Sequence, residues 1–178
     1  MRRFALLIVG CALVSSCYVA THFDGWRYKG GRLVNNGLFS RPRFEAPFPA
    51  ISFNVPGSYE YSFSRFPADD AYVMLVTPSA PAAASIERLM AKVRLRVIDT
   101  NGQLRCDATG FPDQRGDEQL IVNSSVGVIG LCHVGCMSLQ LRTCNPCRLQ
   151  ITVAEVDRAT PAVTLVPTLR GGGYELLP

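Results

Sequence analysis

Short segments of alternating apolar and polar residues, separated by turn residues, are the feature that most constrains the fold of this chain. The clearest are Val93–Ile98 and Gln103–Ala108, which flank Asn101-Gly102. Asn-Gly between alternating segments is the strongest short-range signal for a β-hairpin. A two-residue turn centred on it predicts a register in which apolar residues face each other and opposite charges face each other. The predicted pairs are Val97 with Cys106, Leu95 with Ala108 and Arg96 with Asp107.

Two further hairpins are predicted from the same alternation. The first joins Ile51–Val55 to Tyr59–Phe63 through three residues that include Pro-Gly. In this register Ile51 lies opposite Phe63 and the apolar residues of both strands share one face. The second joins Met137–Arg142 to Arg148–Val153, with its loop at residues 143–147.

Several other segments indicate strands, and one indicates a helix. Ala71–Thr77 is a continuous apolar run, which is typical of a buried strand, and Ala162–Val166 is expected to be the last strand. Ser85–Ala91 is expected to form a short helix. Twelve prolines and 15 glycines interrupt the chain at intervals typical of sandwich domains. We therefore predict an immunoglobulin-like or transthyretin-like antiparallel β-sandwich with at most one short helix.

The N-terminal stretch indicates export from the cytoplasm. Arg2 and Arg3 precede the uncharged apolar run Phe4–Val14, which is the order of a secretory signal peptide. Val14-Ser15-Ser16-Cys17 resembles a bacterial lipobox, in which the cysteine thiol takes a diacylglycerol before cleavage. The resemblance implies that Cys17 becomes the first residue of the mature protein and carries acyl chains, palmitate among them.

The expected location is the periplasmic face of the outer membrane, because residue 18 is not the aspartate associated with retention at the inner membrane. The alternative is an inner-membrane protein held by an uncleaved N-terminal helix, since Phe4–Ala20 is uncharged and lies at the short end of what spans a bilayer. The predicted organisation is a signal peptide at residues 1–16, a lipidated tether at 17–47 and a β-sandwich domain at 48–178.

Charge and recognisable motifs exclude some functions. The formal net charge of +4 falls by two when Arg2 and Arg3 are removed, and the remaining basic residues are scattered, so no nucleic-acid partner is expected. The chain contains no serine nucleophile elbow and no recognisable acid–base pair. A non-enzymatic protein is therefore expected.

Five cysteines follow Cys17, and outside the cytoplasm a disulfide is the default state of a cysteine. A local bridge between Cys144 and Cys147 is predicted, because the ends of a tight turn bring their Cα atoms within reach of a disulfide. The alternative is a zinc site formed by the closely spaced cysteines and the adjacent histidine. The residues of that site would be Cys132, His133, Cys136, Cys144 and Cys147. A redox role of Cys144-Asn-Pro-Cys147 is the third hypothesis, although the β-rich sequence after it lacks the helix that lowers a thiol pKa.

Two groups of cations are candidates for contact with an anion or an acidic partner. Lys92, Arg94 and Arg96 share the outer face of one predicted strand, although such a face is more often simply solvated. Arg142 and Arg148 face each other in the predicted late hairpin. Because like charges opposite each other destabilise a ladder, an acid or a bound anion is expected near them.

Three parts of the sequence carry a family resemblance: Phe53-x-Val55-x-x-x-Tyr59, the strand Val93–Ile98 with its turn, and the late strand Leu149–Val153. They resemble a family of small proteobacterial β-sandwich lipoproteins known as a domain of unknown function. The resemblance implies an anchored sandwich and no particular activity. Together these features favour an envelope lipoprotein that binds another protein as an accessory module, with immunity or secretion as the expected settings. The competing hypothesis is a zinc or redox protein centred on residues 132–147.

Overall fold

The computed structural model describes residues 24–35, 43–68, 70–77, 91–110, 121–123, 128–131 and 139–172. Within these ranges the chain forms short strands and one 3-10 turn, Asp24–Arg27. The strands are β1 Val34–Asn35, β2 Phe44–Pro47, β3 Ile51–Ser52, β4 Gly57–Phe63, β5 Tyr72–Val76, β6 Lys92–Ile98, β7 Leu104–Gly110, β8 Ile121–Asn123, β9 Val128–Leu131, β10 Cys147–Ala154 and β11 Thr164–Gly171.

These strands form two antiparallel sheets, which confirms the predicted sandwich. The larger sheet has the order β1-β2-β11-β5-β9-β8, with β3 also paired to β11. The smaller sheet has the order β4-β10-β6-β7. The segment predicted as a short helix, Ser85–Ala91, lies outside the described residues except for its last one.

The core lies between the sheets and is built by alternation along each strand. In β6 and β10 every second residue is buried, so their apolar side chains point inward and their polar side chains point outward. The larger sheet contributes buried residues from β5 and β11. Two phenylalanines, Phe53 and Phe63, are among the largest fully buried side chains. Burial of this apolar surface is the main stabilising contribution to the fold.

The β6–β7 hairpin is confirmed, including all three predicted pairs. Its turn is one residue longer than predicted. The Gly102 N–H donates to the Asp99 carbonyl at 3.0 Å, and the register shifts beyond Val97 so that Ile98 lies opposite Leu104. Gly102 has a φ of 77°, which glycine adopts without steric cost. The loop is therefore of the three-residue kind with a glycine bulge, the next most common hairpin connection after the two-residue turn.

Asp99 organises this turn through a buried carboxylate. Its Oδ1 accepts hydrogen bonds from the N–H groups of Asn101 and Gln103, each at 2.9 Å. Its Oδ2 accepts from Arg105 Nε, also at 2.9 Å. Burial acts to raise the pKa of Asp99, but these N–H groups and the Arg105 guanidinium outweigh it and hold the pKa below its ordinary value.

Replacing Asp99 by asparagine is expected to make the melting temperature of the protein less dependent on pH in the acidic range. Because the pKa of Asp99 is lowered in the folded state, its ionised form stabilises the fold above its unfolded pKa of about 3.9. That contribution is lost as the pH falls through the lower folded pKa. Thermal unfolding between about pH 6 and pH 2 should show a steeper loss of Tm in the native chain than in Asp99→Asn. Equal slopes in the two proteins would contradict this role for Asp99.

The predicted hairpin of Ile51–Val55 with Tyr59–Phe63 is wrong. Ile51 pairs with Leu165 in the larger sheet, whereas β4 pairs with β10 in the smaller sheet. The chain therefore crosses from one sheet to the other within these few residues. Ile51, Phe53 and Phe63 are still buried in the same core, which is why the alternation also fitted a hairpin, whereas Val55 is exposed.

The predicted late hairpin is also wrong. Strand β10 lies in the middle of the smaller sheet, where β4 pairs with one edge and β6 with the other. Leu139 instead bridges Ala71, next to the larger sheet. Since both edges of β10 are occupied, the segment before the disulfide loop cannot pair with it, and Arg142 does not lie opposite Arg148.

The predicted tether boundary at residue 47 needs correction. Strand β2 pairs with β11, and both Phe44 and Ala46 are buried in the core. Further upstream, Lys29 forms a β-bridge with Ser64, and the Tyr28 ring packs edge-on against Phe66 at 6.1 Å. Parts of the expected tether are thus part of the folded domain, because they supply apolar side chains that complete its core.

Candidate functional site

The three cations predicted on the outer face of β6 form ion pairs with two carboxylates of the same chain. Arg94 and Arg96 both bond to Asp107, with Arg94 Nη2 at 2.6 Å from Oδ2. The hydrogen bond from Arg94 is the main cause of the lowered pKa of Asp107. Lys92 Nζ lies 3.1 Å from Glu155 Oε1. The surface of β6 therefore carries ion pairs in which Arg94 and Arg96 share one carboxylate, and its contact with an anion or an acidic partner stays a prediction.

Arg148 and Arg142 occupy different surroundings. Arg148 Nη1 lies 3.8 Å from Glu60 Oε1, on the exposed face of the smaller sheet. Arg142 lies in the loop before the disulfide and lines a cleft described below. Of the five cations predicted to contact an anion, only Arg142 lines this cleft.

The predicted disulfide between Cys144 and Cys147 is present, with a Cα–Cα distance of 5.5 Å. Because the two sulfurs are bonded to each other, neither is available as a thiolate ligand, so the five-residue zinc site is wrong as proposed. Cys106 is disulfide-bonded as well. Cys132, His133 and Cys136 lie outside the described residues, and no group of three metal-ligating side chains occurs within the described ones.

The loop Thr143–Cys147 contains the disulfide between Cys144 and Cys147 and is held against the end of the sandwich. Cys147 is fully buried as the first residue of β10. Thr100 Oγ1 in the β6–β7 turn donates to the Pro146 carbonyl at 3.0 Å. On the other side, the Arg65 N–H donates to the Cys144 carbonyl at 2.8 Å. The loop is thus fixed from the β6–β7 turn and from the segment after β4.

Beside this loop lies a cleft of about 520 Å³, which we call the arginine cleft. Three guanidinium groups from distant parts of the sequence converge on it, together with two polar side chains of the loop and one proline. None of its described lining residues is acidic. The described lining residues are Arg27, Arg65, Arg142, Thr143, Asn145 and Pro67.

Two of the three arginines have a distinctive local geometry, Arg27 in its side chain and Arg65 in its backbone. The Arg27 guanidinium carbon lies 4.9 Å from the centroid of the Trp26 ring, a cation–π distance. Trp26 is itself 68% exposed, which is unusual for so large an apolar side chain. Arg65 has a φ of 55°, a left-handed conformation that costs free energy for a residue with a Cβ. Such strained residues concentrate at functional sites.

Guanidinium groups bind carboxylates and phosphates through paired hydrogen bonds, and several together attract anions strongly. The arginine cleft accordingly has side chains of the kind that bind an anionic group. Of the three arginines, Arg142 was predicted from the sequence as an anion contact, whereas Arg27 and Arg65 were not. No spacing signal links positions 27, 65 and 142, because the fold alone brings these segments together.

Cys17, the expected lipidation site, lies outside the described residues. Within the described residues, no helix has both the length and the apolar character needed to cross a bilayer. Comparisons with models of known families, with curated proteins and with solved structures found no match. The resemblance to small envelope lipoproteins therefore rests on the sequence patterns alone.

Proposed function

We propose that this chain is a non-enzymatic lipoprotein of the bacterial envelope, anchored through Cys17, whose β-sandwich binds a protein partner. The observation that carries the proposal is the arginine cleft, which concentrates three cations beside a loop closed by a disulfide. A cleft of this kind suits recognition of an anionic surface. The proposed location is the outer membrane, with the domain in the periplasm.

The competing hypothesis, a zinc or redox protein, receives less support from the same region. The bond between Cys144 and Cys147 removes two of the proposed zinc ligands. The residues after Cys147 form strand β10 rather than a helix. A helix N-terminus is the usual means of lowering the pKa of the attacking thiol in Cys-x-x-Cys proteins, so catalysis of thiol exchange is disfavoured. An accessory binding role is the simpler conclusion.

Replacing Cys17 by serine is expected to abolish stable membrane association without unfolding the domain. The thiol is the proposed acceptor of the lipid, and two or more acyl chains are needed for firm anchoring. Cell fractionation with mass spectrometry of the product measures both location and processing. As a control, Cys11→Ser removes the other cysteine of the apolar run and should leave anchoring unchanged.

If the Cys17→Ser protein stays in the membrane fraction with its N-terminal residues uncleaved, the anchor is a transmembrane segment. The lipoprotein part of the proposal would then be wrong, and the alternative of an inner-membrane protein would replace it.

A further inference from the structure

We infer that one end of the sandwich, the end that carries Trp26 and Leu104, docks on the phospholipid headgroups of the membrane that holds the chain. We call it the membrane-facing end. The inference rests on the proposed function, because it requires that the chain is attached to a membrane through its N-terminal residues. It goes beyond that function by giving the domain a fixed orientation on the bilayer.

The side chains at this end are of the kind that settle at a membrane surface. Trp26 and Leu104 are large apolar side chains that stand exposed, Leu104 by 46%. Arg27 and Lys29 follow Trp26 and are exposed as well. The Arg27 guanidinium carbon lies 4.9 Å from the centroid of the Trp26 ring. At the headgroup level of a bilayer the apolar part of such a pair meets the acyl chains and its cation meets the phosphates.

The two apolar side chains lie at the same end of the smaller sheet. Cys147 begins β10 at this end and pairs with the last residue of β4. Leu104 begins β7 at the same end, two strands away from β10. The segment that carries Trp26 joins this end through the bridge between Lys29 and Ser64, the residue after β4. Since neighbouring strands are about 4.8 Å apart, the four strands form a rim about 15 Å wide.

The covalent path from the anchor to this end is short. The nine residues from Cys17 to Trp26 span at most about 30 Å when fully extended. Strand β4 alone extends about 20 Å from Gly57 to Phe63, so the opposite end of the sandwich lies that much farther along the chain of contacts from Trp26. The end with Trp26 is therefore held closest to the bilayer. An uncleaved helix that ends at Ala20 would make the path shorter still.

Attachment makes a weak contact sufficient for docking. A tethered surface meets the bilayer at a high effective concentration, because its binding is then an intramolecular event. A few exposed side chains thus suffice to orient a domain that they could not bring to a membrane alone. The arginine cleft, which Arg27 also lines, then opens near the membrane surface, and a protein partner of the cleft would bind there.

Trp26 is the only tryptophan of the chain, so its fluorescence reports directly on this surface. The full chain with its anchor would be reconstituted into vesicles of phosphatidylethanolamine and phosphatidylglycerol. Matched vesicles would contain the same lipids with bromine on the acyl chains close to the glycerol, because bromine quenches tryptophan only at short range. Bromination is expected to lower Trp26 emission at least about twofold, since indole rings lie at this depth. Equal emission in the two kinds of vesicle would overturn the docking and leave this surface to a protein partner.

Two double variants move the tryptophan to other exposed positions and test the orientation. Trp26→Phe with Leu104→Trp places it elsewhere on the membrane-facing end, and quenching should persist. Trp26→Phe with Val55→Trp places it just before the other end of β4, where the native valine is 53% exposed. Bromination should leave the emission of this second variant unchanged. Equal quenching of tryptophans at positions 26 and 55 would contradict a fixed orientation.

Arg27→Glu tests the contribution of charge. Quenching is measured as a ratio between the two kinds of vesicle, so a direct effect of residue 27 on the fluorescence cancels. The ratio should fall at least about twofold in Arg27→Glu, because the anionic headgroups then repel the side chain beside Trp26. Arg27→Lys keeps the charge and should keep the ratio. Arg158→Glu, an exposed position beyond the other end of β10, is the matched control and should also keep it. An unchanged ratio in Arg27→Glu would overturn the role of Arg27.

Fractionation of the native chain and of Cys17→Ser tests the anchor separately. A native chain that is membrane-bound but whose Trp26 is not quenched would overturn the docking and leave the anchor intact. A native chain recovered in the soluble fraction would overturn both.

Discussion

Replacing Phe53 by alanine is expected to lower the free energy of unfolding by about 3–5 kcal/mol, the range for deleting a fully buried phenylalanine side chain. Phe53 is 0% exposed and lies where the chain crosses between the two sheets. Its N–H donates to the Val163 carbonyl at 3.0 Å, a bond that alanine would retain. The loss would therefore come from the side chain, through lost apolar burial and the cavity left behind.

Denaturant unfolding of the full chain measures this change. Val55→Ala is the matched control, because Val55 lies two residues away and is 53% exposed. It should change the free energy of unfolding by less than about 0.5 kcal/mol, as surface substitutions generally do. Similar effects of the two substitutions would contradict the placement of Phe53 in the core.

Replacing Gly171 by alanine is expected to lower the free energy of unfolding by about 1–3 kcal/mol, the usual cost of overpacking a core. A Cβ at this position would lie 2.7 Å from the Ala68 Cβ and 3.2 Å from the Ala71 Cα. Neither of these atoms belongs to a flexible side chain, so the backbone must shift to admit the methyl group. The last strand of the larger sheet thus depends on a glycine for its close packing.

Gly57→Ala provides the comparison for this substitution. A Cβ at Gly57, the first residue of β4, would lie no closer than 3.5 Å to its neighbours, an ordinary contact with the Tyr59 ring. Alanine also restricts the unfolded chain, so Gly57→Ala should be neutral or stabilise by up to about 1 kcal/mol. Equal destabilisation by the two alanines in denaturant unfolding would mean that Gly171 is not closely packed.

Two features formed by residues close together in the sequence, a hairpin and a disulfide, were predicted from that sequence. The hairpin at Asn101-Gly102 was located correctly because its turn and both strands lie within a few residues of each other, and turn chemistry determines their register. The same holds for the bridge between Cys144 and Cys147, since three residues of separation limit the possible distance between their Cα atoms. The extra residue in the turn, with its glycine bulge, was not evident from the alternation.

Predictions of which strands pair failed where the partners are distant in sequence. Alternation indicates which residues face the core, but it does not identify the neighbouring strand. Tyr59 fitted a partner at Val55, yet it lies opposite Ile151 on β10. Tyr59 and Tyr61 still contact the preceding segment, through hydroxyl bonds to the carbonyls of Ser52 and Pro49 at 3.3 and 2.9 Å. The two sheets are thus joined by side chains where a backbone ladder was expected.

The sequence by itself determined the all-β class, the inward and outward faces of the strands and the turns with strong local chemistry, because each depends on residues close together in the chain. Only the tertiary structure decided which strands are neighbours, that Phe44 and Ala46 belong to the core, and that the cations of β6 form ion pairs with carboxylates of the same chain. It also brought Arg27, Arg65 and Arg142 to one cleft. Contacts of this kind depend on how two sheets pack together, and packing is a property of the whole chain.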